Sequence, residues 1–244
     1  MKKWISTIVL IVLAGYIVFS AIAFSSKPAE QVCAGVRLEI ADSAEVGYLN
    51  TVDVLALLRK SGLDPTGRPM DDVRLRDIER CLALSPLIRV GECYKTIGGY
   101  VVASIECRRP ILRVIADSGD SFYLDEEGEV IDYIAKAVYL PVATGHISRE
   151  YAQKYLLPLA QYLRDEELWN AQVEQIHVTA RGEVELVPRV GGHVIVLGKP
   201  NHYARKFDKL RIFYEKGLSQ VGWDKYSRIT LEYDNQVVGT KKKK

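Results

Sequence analysis

The sequence predicts an α+β fold: an N-terminal transmembrane helix, a small unit of order βααββ, and a larger, mostly antiparallel β domain with flanking helices. Three observations predict it. An apolar run without a charged residue extends from Ile5 to Phe24. Strand, helix, helix, strand and strand patterns then follow one another over residues 35–109. Short alternating runs and turn residues dominate over residues 110–239, with two amphipathic helices among them.

The apolar run is long enough to cross a membrane. At about 1.5 Å per residue, a helix over Ile5–Phe24 measures about 30 Å, the thickness of the hydrocarbon core of a bilayer. Two lysines in the preceding tail, residues 1–4, favour a cytoplasmic N-terminus. The alternative is a cleaved signal peptide, because Ala21-Ile22-Ala23 fits a small-x-small cleavage site. In both cases the chain after the linker, residues 25–34, lies outside the cytoplasm.

The small unit is predicted from alternating strands and capped amphipathic helices. Period-two alternation marks a half-buried strand, and Thr or Asp before an apolar stripe marks a helix start. Paired glycines at Gly98-Gly99 accept positive φ and predict a tight hairpin between the last two strands. The predicted elements are a strand Val36–Ile40, a helix from Thr51 to about Gly62, a helix from Asp71 or Asp72 to Ser85, and strands Leu87–Lys95 and Tyr100–Cys107.

The larger domain is predicted to be strand-rich. Two amphipathic helices interrupt its strands, one capped by Ser148 and one over Tyr203–Lys216, each with an apolar stripe at helical spacing. The last predicted strand is the longest and alternates apolar with polar residues. The predicted strands are Ile111–Ile115, Ser121–Leu124, Glu129–Ile131, Ile176–Val178, Val184–Val187, His193–Leu197 and Arg228–Val238.

The chain shows no arrangement of residues that predicts catalysis. Its four histidines lack metal-ligand spacing, and no nucleophile, zinc-protease or phosphate-loop motif is present. The net charge of +2 does not suggest nucleic acid as a partner. We therefore predict no catalytic, cofactor-binding or metal-binding residues. An exported location permits disulfides among Cys33, Cys81, Cys93 and Cys107, but the pairing stays open. The alternative is that Cys81, Cys93 and Cys107 are small buried hydrophobic residues.

Short motifs along nearly the whole chain resemble the FtsQ (FtsQ/DivIB) bacterial cell-division family, whose first exported unit is a POTRA domain. Each motif is weak alone, and their order carries the resemblance. Two positions depart from the family pattern: Gly91 replaces a small residue, and Glu232 stands where arginine is common. The motifs are Ser85–Val90, Glu106–Pro110, Phe122–Asp125 with Gly128, Leu140-Pro141 with Gly145, Leu197–Lys199 with Lys206 and Lys209, and Ile229–Asn235.

The resemblance implies a binding scaffold of the divisome rather than an enzyme. Its partners would be FtsB/DivIC-like and FtsL-like division proteins, bound largely by strand addition at the last strand, and other divisome proteins bound through the POTRA domain. The implied location is the inner membrane at the division septum, with the bulk of the chain periplasmic. The implied domains are the POTRA domain over 35–109, the FtsQ-type β domain over 110–239 and a basic tail over 240–244.

The residues expected to bind partners lie near the C-terminus. A last strand has a free edge, whose backbone groups accept an added strand. Three residues at the domain junction are expected either to act in recruitment or to form a structural hinge. An alternative function is a POTRA-bearing protein of outer-membrane assembly or secretion, which usually carries a cleaved signal peptide. The predicted partner-binding residues are Lys206, Lys209, Ile229, Leu231, Tyr233, Asn235 and Val237, and the junction residues are Arg108, Arg109 and Pro110.

Overall fold

The structure, a computed structural model, describes residues 4, 12–17, 19–20, 31–41 and 48–242. Of the predicted membrane span, residues 12–17 and 19–20 are helical, and residues 5–11, 18 and 21–24 lie outside the described residues. Among the described residues, no helix combines the length and the apolarity that a membrane crossing requires. The linker residues 25–30 and the end of the basic tail, 243–244, also lie outside them.

The described residues form two compact units. The first takes Thr51–Leu82, Gly91–Ile105 and the described residues before Ile40. The second takes Ala83–Val90, Glu106–Lys244 and the described part of Ile40–Asn50. The chain is therefore an α+β protein with a smaller and a larger body.

The described residues form a small sheet of three strands, β1 (Gly35–Ile40), β2 (Ile88–Lys95) and β3 (Tyr100–Cys107), in the order β1-β3-β2. Helix α1 buries Val54 and Leu58, and α2 buries Ile78 and Leu82, so the predicted apolar stripes are confirmed. The second helix begins later than predicted, because Asp71 and Asp72 lie in a separate 3-10 turn. The elements are β1 (Gly35–Ile40), α1 (Thr51–Lys60), the 3-10 turn Met70–Asp72, α2 (Leu75–Ala83), β2 (Ile88–Lys95) and β3 (Tyr100–Cys107).

Within the described part of the chain, the large sheet has nine strands in the order β12-β11-β10-β9-β8-β7-β4-β5-β6. Strand β7 and the short helix before β8 are additional to the predicted elements. The strands are β4 (Pro110–Ala116), β5 (Ser121–Asp125), β6 (Val130–Ile131), β7 (Val142–Gly145), β8 (Val173–Val178), β9 (Val184–Pro188), β10 (Val194–Gly198), β11 (Tyr226–Thr230) and β12 (Val238–Lys241). The helices are α3 (Arg149–Tyr151), α4 (Leu157–Asp165), α5 (Glu167–Gln172), α6 (Tyr203–Phe213) and α7 (Ser219–Val221), with π-helical segments at Ala152–Leu156 and Tyr214–Leu218.

The sheet is mostly antiparallel, as predicted, but three of its neighbouring pairs are parallel. These are β4 with β7, β7 with β8, and β10 with β11. Parallel neighbours need a crossover, and the chain makes two of them through helices: α3–α5 join β7 to β8, and α6–α7 join β10 to β11. The helices of these two crossovers are what cover the sheet.

One hydrophobic core lies between the sheet and those helices. Trp169 and Phe207 are fully buried, with ring centroids 4.8 Å apart. Ser148 caps the first crossover helix as predicted, because its side chain accepts from Tyr151 N. The other buried members include sheet residues and helix residues in a single cluster: Leu112, Val114, Phe122, Ala143, Ile176, Leu186, Ile195, Leu197 and Ile229 from strands, and Leu159, Leu163, Leu210, Tyr214 and Leu218 from the helical segments.

The four cysteines are all free, buried thiols. Burial raises the pKa of Cys93 to about 12 and that of Cys107 to about 11. A thiol with so high a pKa is a poor nucleophile, because the thiolate is the reactive form. Cys81, Cys93 and Cys107 are therefore packed side chains, as the alternative to disulfide pairing proposed, and Cys33 is buried in the same way.

His193, predicted as the first residue of a strand, is buried immediately before β10. Only 2% of its surface is exposed, and its Nε2 lies 2.9 Å from the hydroxyl of Tyr214. Burial lowers the pKa of His193, and Lys242 lowers it further, while Asp224 opposes them. The folded chain therefore favours the neutral imidazole.

We expect His193 to make the protein less stable in mild acid. In the unfolded chain the imidazole takes up a proton near pH 6.5, whereas in the folded chain it does so only at lower pH. The unfolded state then binds more protons, so the free energy of unfolding falls as the pH drops below about 6.5. His193→Gln should reduce the difference in unfolding free energy between pH 7 and pH 5, measured by urea denaturation. His146→Gln, at an exposed site, is the control; equal pH dependence in wild type and His193→Gln would contradict this role.

Candidate partner-binding site

The last predicted strand is divided by a turn. Strand β11 ends at Thr230, and β12 begins at Val238 and pairs with it antiparallel. The prediction of one strand over Arg228–Val238 was therefore wrong. The physical reason lies in Asp234 and Asn235, which form the turn and belong to the residue types that stabilise turns through their own side chains.

This hairpin decides which strand is at the edge of the sheet. Strand β11 lies between β10, its parallel neighbour, and β12. Of the strands that the structure describes, β12 is the terminal one on this side of the sheet. The edge available to another chain is thus Val238–Lys241 rather than the residues around Ile229.

Two of the predicted binding residues are buried in the core. Ile229 and Leu231 have no exposed surface, and Leu231 N donates to Val196 O at 2.9 Å. Val237 is half-buried against the same core. By contrast, Tyr233 is 52% exposed, and Asn235 is exposed in the turn. The structure therefore brings only Tyr233 and Asn235 of these five fully to the surface.

Lys206 is buried, and its hydrogen bonds link α6 to the end of β10. Its Nζ donates to Leu197 O at 2.9 Å, to Lys199 O at 2.8 Å and to the side-chain oxygen of Asn201 at 3.2 Å. These three bonds use all three protons of the ammonium group. Burial lowers the pKa of Lys206. This side chain has no remaining donor for a partner.

Lys209 and Arg205 hold the turn that leads into β12. Lys209 Nζ donates to Leu231 O at 3.2 Å and to Tyr233 O. Arg205 Nη2 donates to Asp234 O at 3.4 Å and to the side-chain oxygen of Asn235 at 3.3 Å. The two cations lie four residues apart and so share one face of α6. Arg205 is not among the predicted residues, although its spacing of four from Lys209 was the available signal.

A charged pocket of about 390 Å³ opens beside this turn. It contains cations and carboxylates in similar numbers, and His202 at its rim has a left-handed backbone with φ of 52°. Such a mixed lining suits a polar or charged side chain of a partner. Its lining residues are Glu183, Lys199, Asn201, His202, Arg205, Lys206, Lys209, Glu232 and Asp234.

The register of β12 on β11 determines which of its backbone groups face outward. Lys242 N donates to Lys225 O at 3.1 Å, and Thr240 O accepts from the Ser227 hydroxyl at 3.3 Å. Backbone groups alternate in direction along a strand, so the amides of residues 239 and 241 point away from β11. These are the groups that an added strand would meet. Among the described residues, no group of three or more side chains is arranged to hold a metal ion.

The predicted junction residues belong to the second unit and have structural roles. Arg108 Nη1 donates to Asp125 Oδ2 at 2.9 Å, and Asp125 is 1% exposed. The other oxygen of Asp125 accepts from the backbone amides of Glu127 and Glu129 at 2.9 Å and 2.7 Å. Arg108 and Asp125 therefore fix the turn between β5 and β6.

Arg109 and Pro110 lie beside that ion pair. Arg109 O accepts from Glu126 N at 3.1 Å, and its side chain is exposed. Pro110 begins β4, where it pairs with Asp125. At the junction, Arg108 is thus half-buried and has a structural role, whereas Arg109 is exposed.

Comparison with known proteins gives two matches. A family model described as FtsQ/DivIB, C-terminal related, matches residues 109–240, which is more than half of the chain. A model described as a POTRA-like domain matches residues 31–106. Among curated proteins, none matches the chain.

We expect the buried ion pair to contribute more stability than an exposed pair of equal length. Arg108–Asp125 and Arg149–Asp132 both measure 2.9 Å, but Asp125 is 1% exposed and Asp132 is 70% exposed. Asp125→Asn should lower the free energy of unfolding by about 1–3 kcal/mol, because it weakens three buried bonds. Asp132→Asn is the matched control and should cost about 0–1 kcal/mol. Chemical denaturation measures both; equal losses would contradict the structural role of Asp125.

Proposed function

The chain belongs to the FtsQ/DivIB family and contains a POTRA-like domain, and we propose that it is a membrane-anchored division scaffold whose β12 edge binds partner chains. The family indicates a scaffold role in cell division, exercised through protein–protein interactions. FtsQ/DivIB and POTRA domains are non-enzymatic scaffold domains. The observation that carries the proposed site is the position of β12 at the end of the sheet.

The chemistry of β12 supports binding by strand addition. Its outward amides at Gly239 and Lys241 can pair with an extended segment of another chain, which would become a tenth strand. Side-chain cations flank the same edge, since Lys241 is exposed and Lys242 lies 3.4 Å from Asp224. An extended segment with acidic residues therefore suits this edge. Exposed Tyr233 and Asn235 supply contacts at its start.

The proposed partners are FtsB/DivIC-like and FtsL-like division proteins. The predicted roles of Lys206 and Lys209 change in this proposal, because their ammonium groups bind backbone carbonyls of this chain. They position the turn before β12 and do not pair with partner acids. Ile229, Leu231 and Val237 support the edge from the core side.

The membrane topology that we propose is the one that the sequence predicts. Ile5–Phe24 anchors the chain in the inner membrane with residues 1–4 in the cytoplasm, and the POTRA and β domains, 35–109 and 110–239, lie outside it. At the division septum, the POTRA domain and the exposed side of Arg109 would serve recruitment of other divisome proteins. The scaffold would in this way assemble or regulate septal cell-wall synthesis.

We expect proline at position 241 to block partner binding. Lys241→Pro removes an outward amide without removing a bond to β11. The affinity for the extracytoplasmic segments of the FtsB/DivIC-like and FtsL-like proteins of the same cell should fall about tenfold or more. Lys241→Ala keeps the amide and should stay within about fivefold of wild type.

Binding is measured with the full chain in detergent or nanodiscs against immobilised partner segments. Circular dichroism of both variants confirms an unchanged fold. If Lys241→Pro binds as tightly as Lys241→Ala, strand addition at β12 is excluded. If wild type binds neither segment, the partner assignment fails.

We expect Lys209→Met to release the turn before β12. The substitution keeps the length of the side chain but removes the bonds to Leu231 O and Tyr233 O. Amides of residues 232–238 should exchange with deuterium about tenfold faster, and partner affinity should fall with them. Lys216→Met, at an exposed position further along the same helical run, is the control. Unchanged exchange in Lys209→Met would show that this lysine does not position the edge.

A further inference from the structure

The hairpin between β2 and β3 ends in an exposed apolar side chain. Ile97 is 99% exposed, and it lies with Thr96 and two glycines at the tip. A single exposed apolar residue is ordinary on a protein surface. Ile97 is of interest because of its neighbours: the segment that begins at Gln31 lies directly beside it.

The chain joins the small unit at this hairpin. Gln31 Nε2 donates to Ile97 O, and Ala34 N donates to Gly99 O at 2.7 Å. Val32, 52% exposed, forms a bridge with Pro69. We call Gln31, Val32, Arg68, Pro69 and Ile97 the tip surface. The tip surface thus includes Gln31, the first described residue after residue 20.

The length of that preceding chain limits how far the tip surface lies from the membrane. The proposed span ends at Phe24, and seven residue steps separate it from Gln31. A fully extended chain covers at most about 3.6 Å per residue, so Gln31 lies within about 25 Å of the point where the span leaves the hydrocarbon. Ile97 is hydrogen-bonded to Gln31 and shares this limit.

The charges around the tip surface allow it to approach an anionic membrane. Arg68 Nη2 donates to Gly62 O at 2.9 Å, and the ammonium group of Lys95 donates to Met70 O. Asp72 lies beside Arg68 in the same recess, and Asp64 pairs with Arg59 at 3.0 Å. Cations therefore offset the carboxylates here, and Ile97 and Val32 add exposed apolar atoms to the surface.

We propose that the tip surface rests on the lipid bilayer, with the side chain of Ile97 in the interfacial layer. The proposal rests on the membrane anchor of the proposed function. An apolar side chain at a headgroup boundary removes its surface from water, in the way that interfacial anchors do. The small unit would then be held at the membrane by its first residues and by the hairpin tip.

The test places a fluorophore at the tip of the full chain. Ile97→Cys is labelled with an environment-sensitive dye, and the native cysteines do not compete because all four are buried. The matched control is Val52→Cys, a 73% exposed apolar position at the start of α1 in the same unit. Both proteins are reconstituted into nanodiscs of phosphatidylcholine and phosphatidylglycerol that contain spin-labelled lipid.

The expected result is severalfold stronger lipid quenching and weaker iodide quenching at position 97 than at position 52. Equal quenching at the two positions, in chains that co-elute with nanodiscs, would overturn the lipid contact and leave the anchor intact. Protection from iodide without lipid quenching would also overturn it, because the tip would then be covered by protein. A chain that does not co-elute with nanodiscs would overturn the anchor itself.

Discussion

The burial of Ile229 and Leu231 is the constraint on which the candidate site depends. Both side chains are fully buried against the crossover helices, and Leu231 N is bonded to the neighbouring strand. Two such side chains together contribute about 3–6 kcal/mol relative to exposure. That contribution holds Ile229 and Leu231 against the core, so neither side chain is available to a partner. The turn after Leu231 then brings β12 alongside β11, where β12 is the terminal strand on this side of the sheet among the described residues.

Long cationic side chains hydrogen-bond to the backbone where the chain leaves the sheet. A chain that leaves a sheet abruptly has carbonyls without ladder partners, and buried carbonyls need donors. Lys206 satisfies those at the end of β10, and Lys209 satisfies those after β11. Each lysine reaches these acceptors because its four-carbon stem lies along apolar surface. The helix that covers the core thereby also shapes the edge.

The local pattern of apolar and polar residues predicted most helices and strands, but not which distant parts of the chain they contact. Alternating apolar and polar residues predicted β11. Apolar residues at helical spacing, Phe207, Leu210 and Tyr214, predicted α6 and the π-helical segment that follows it. The end of β11 was missed because Asp234-Asn235 continues the polar alternation while also forming a turn. Strand β7 has only four residues and pairs in parallel on both sides, which no local period reveals. The buried partner of Arg108 was likewise hidden, since Asp125 reads as a solvated turn residue until the fold covers it.

The short length of β12 limits which chains could pair with its exposed edge. A long, flat, apolar edge pairs with many chains, and proteins protect such edges with short strands and lysines. Strand β12 has four residues, ends in Lys241 and is followed by further lysines. Few backbone bonds are available there, so a partner needs additional contacts to bind. In the proposed complex, exposed Tyr233 and the charged pocket beside the turn would provide them, and a segment that lacks matching groups would gain too little from the backbone alone.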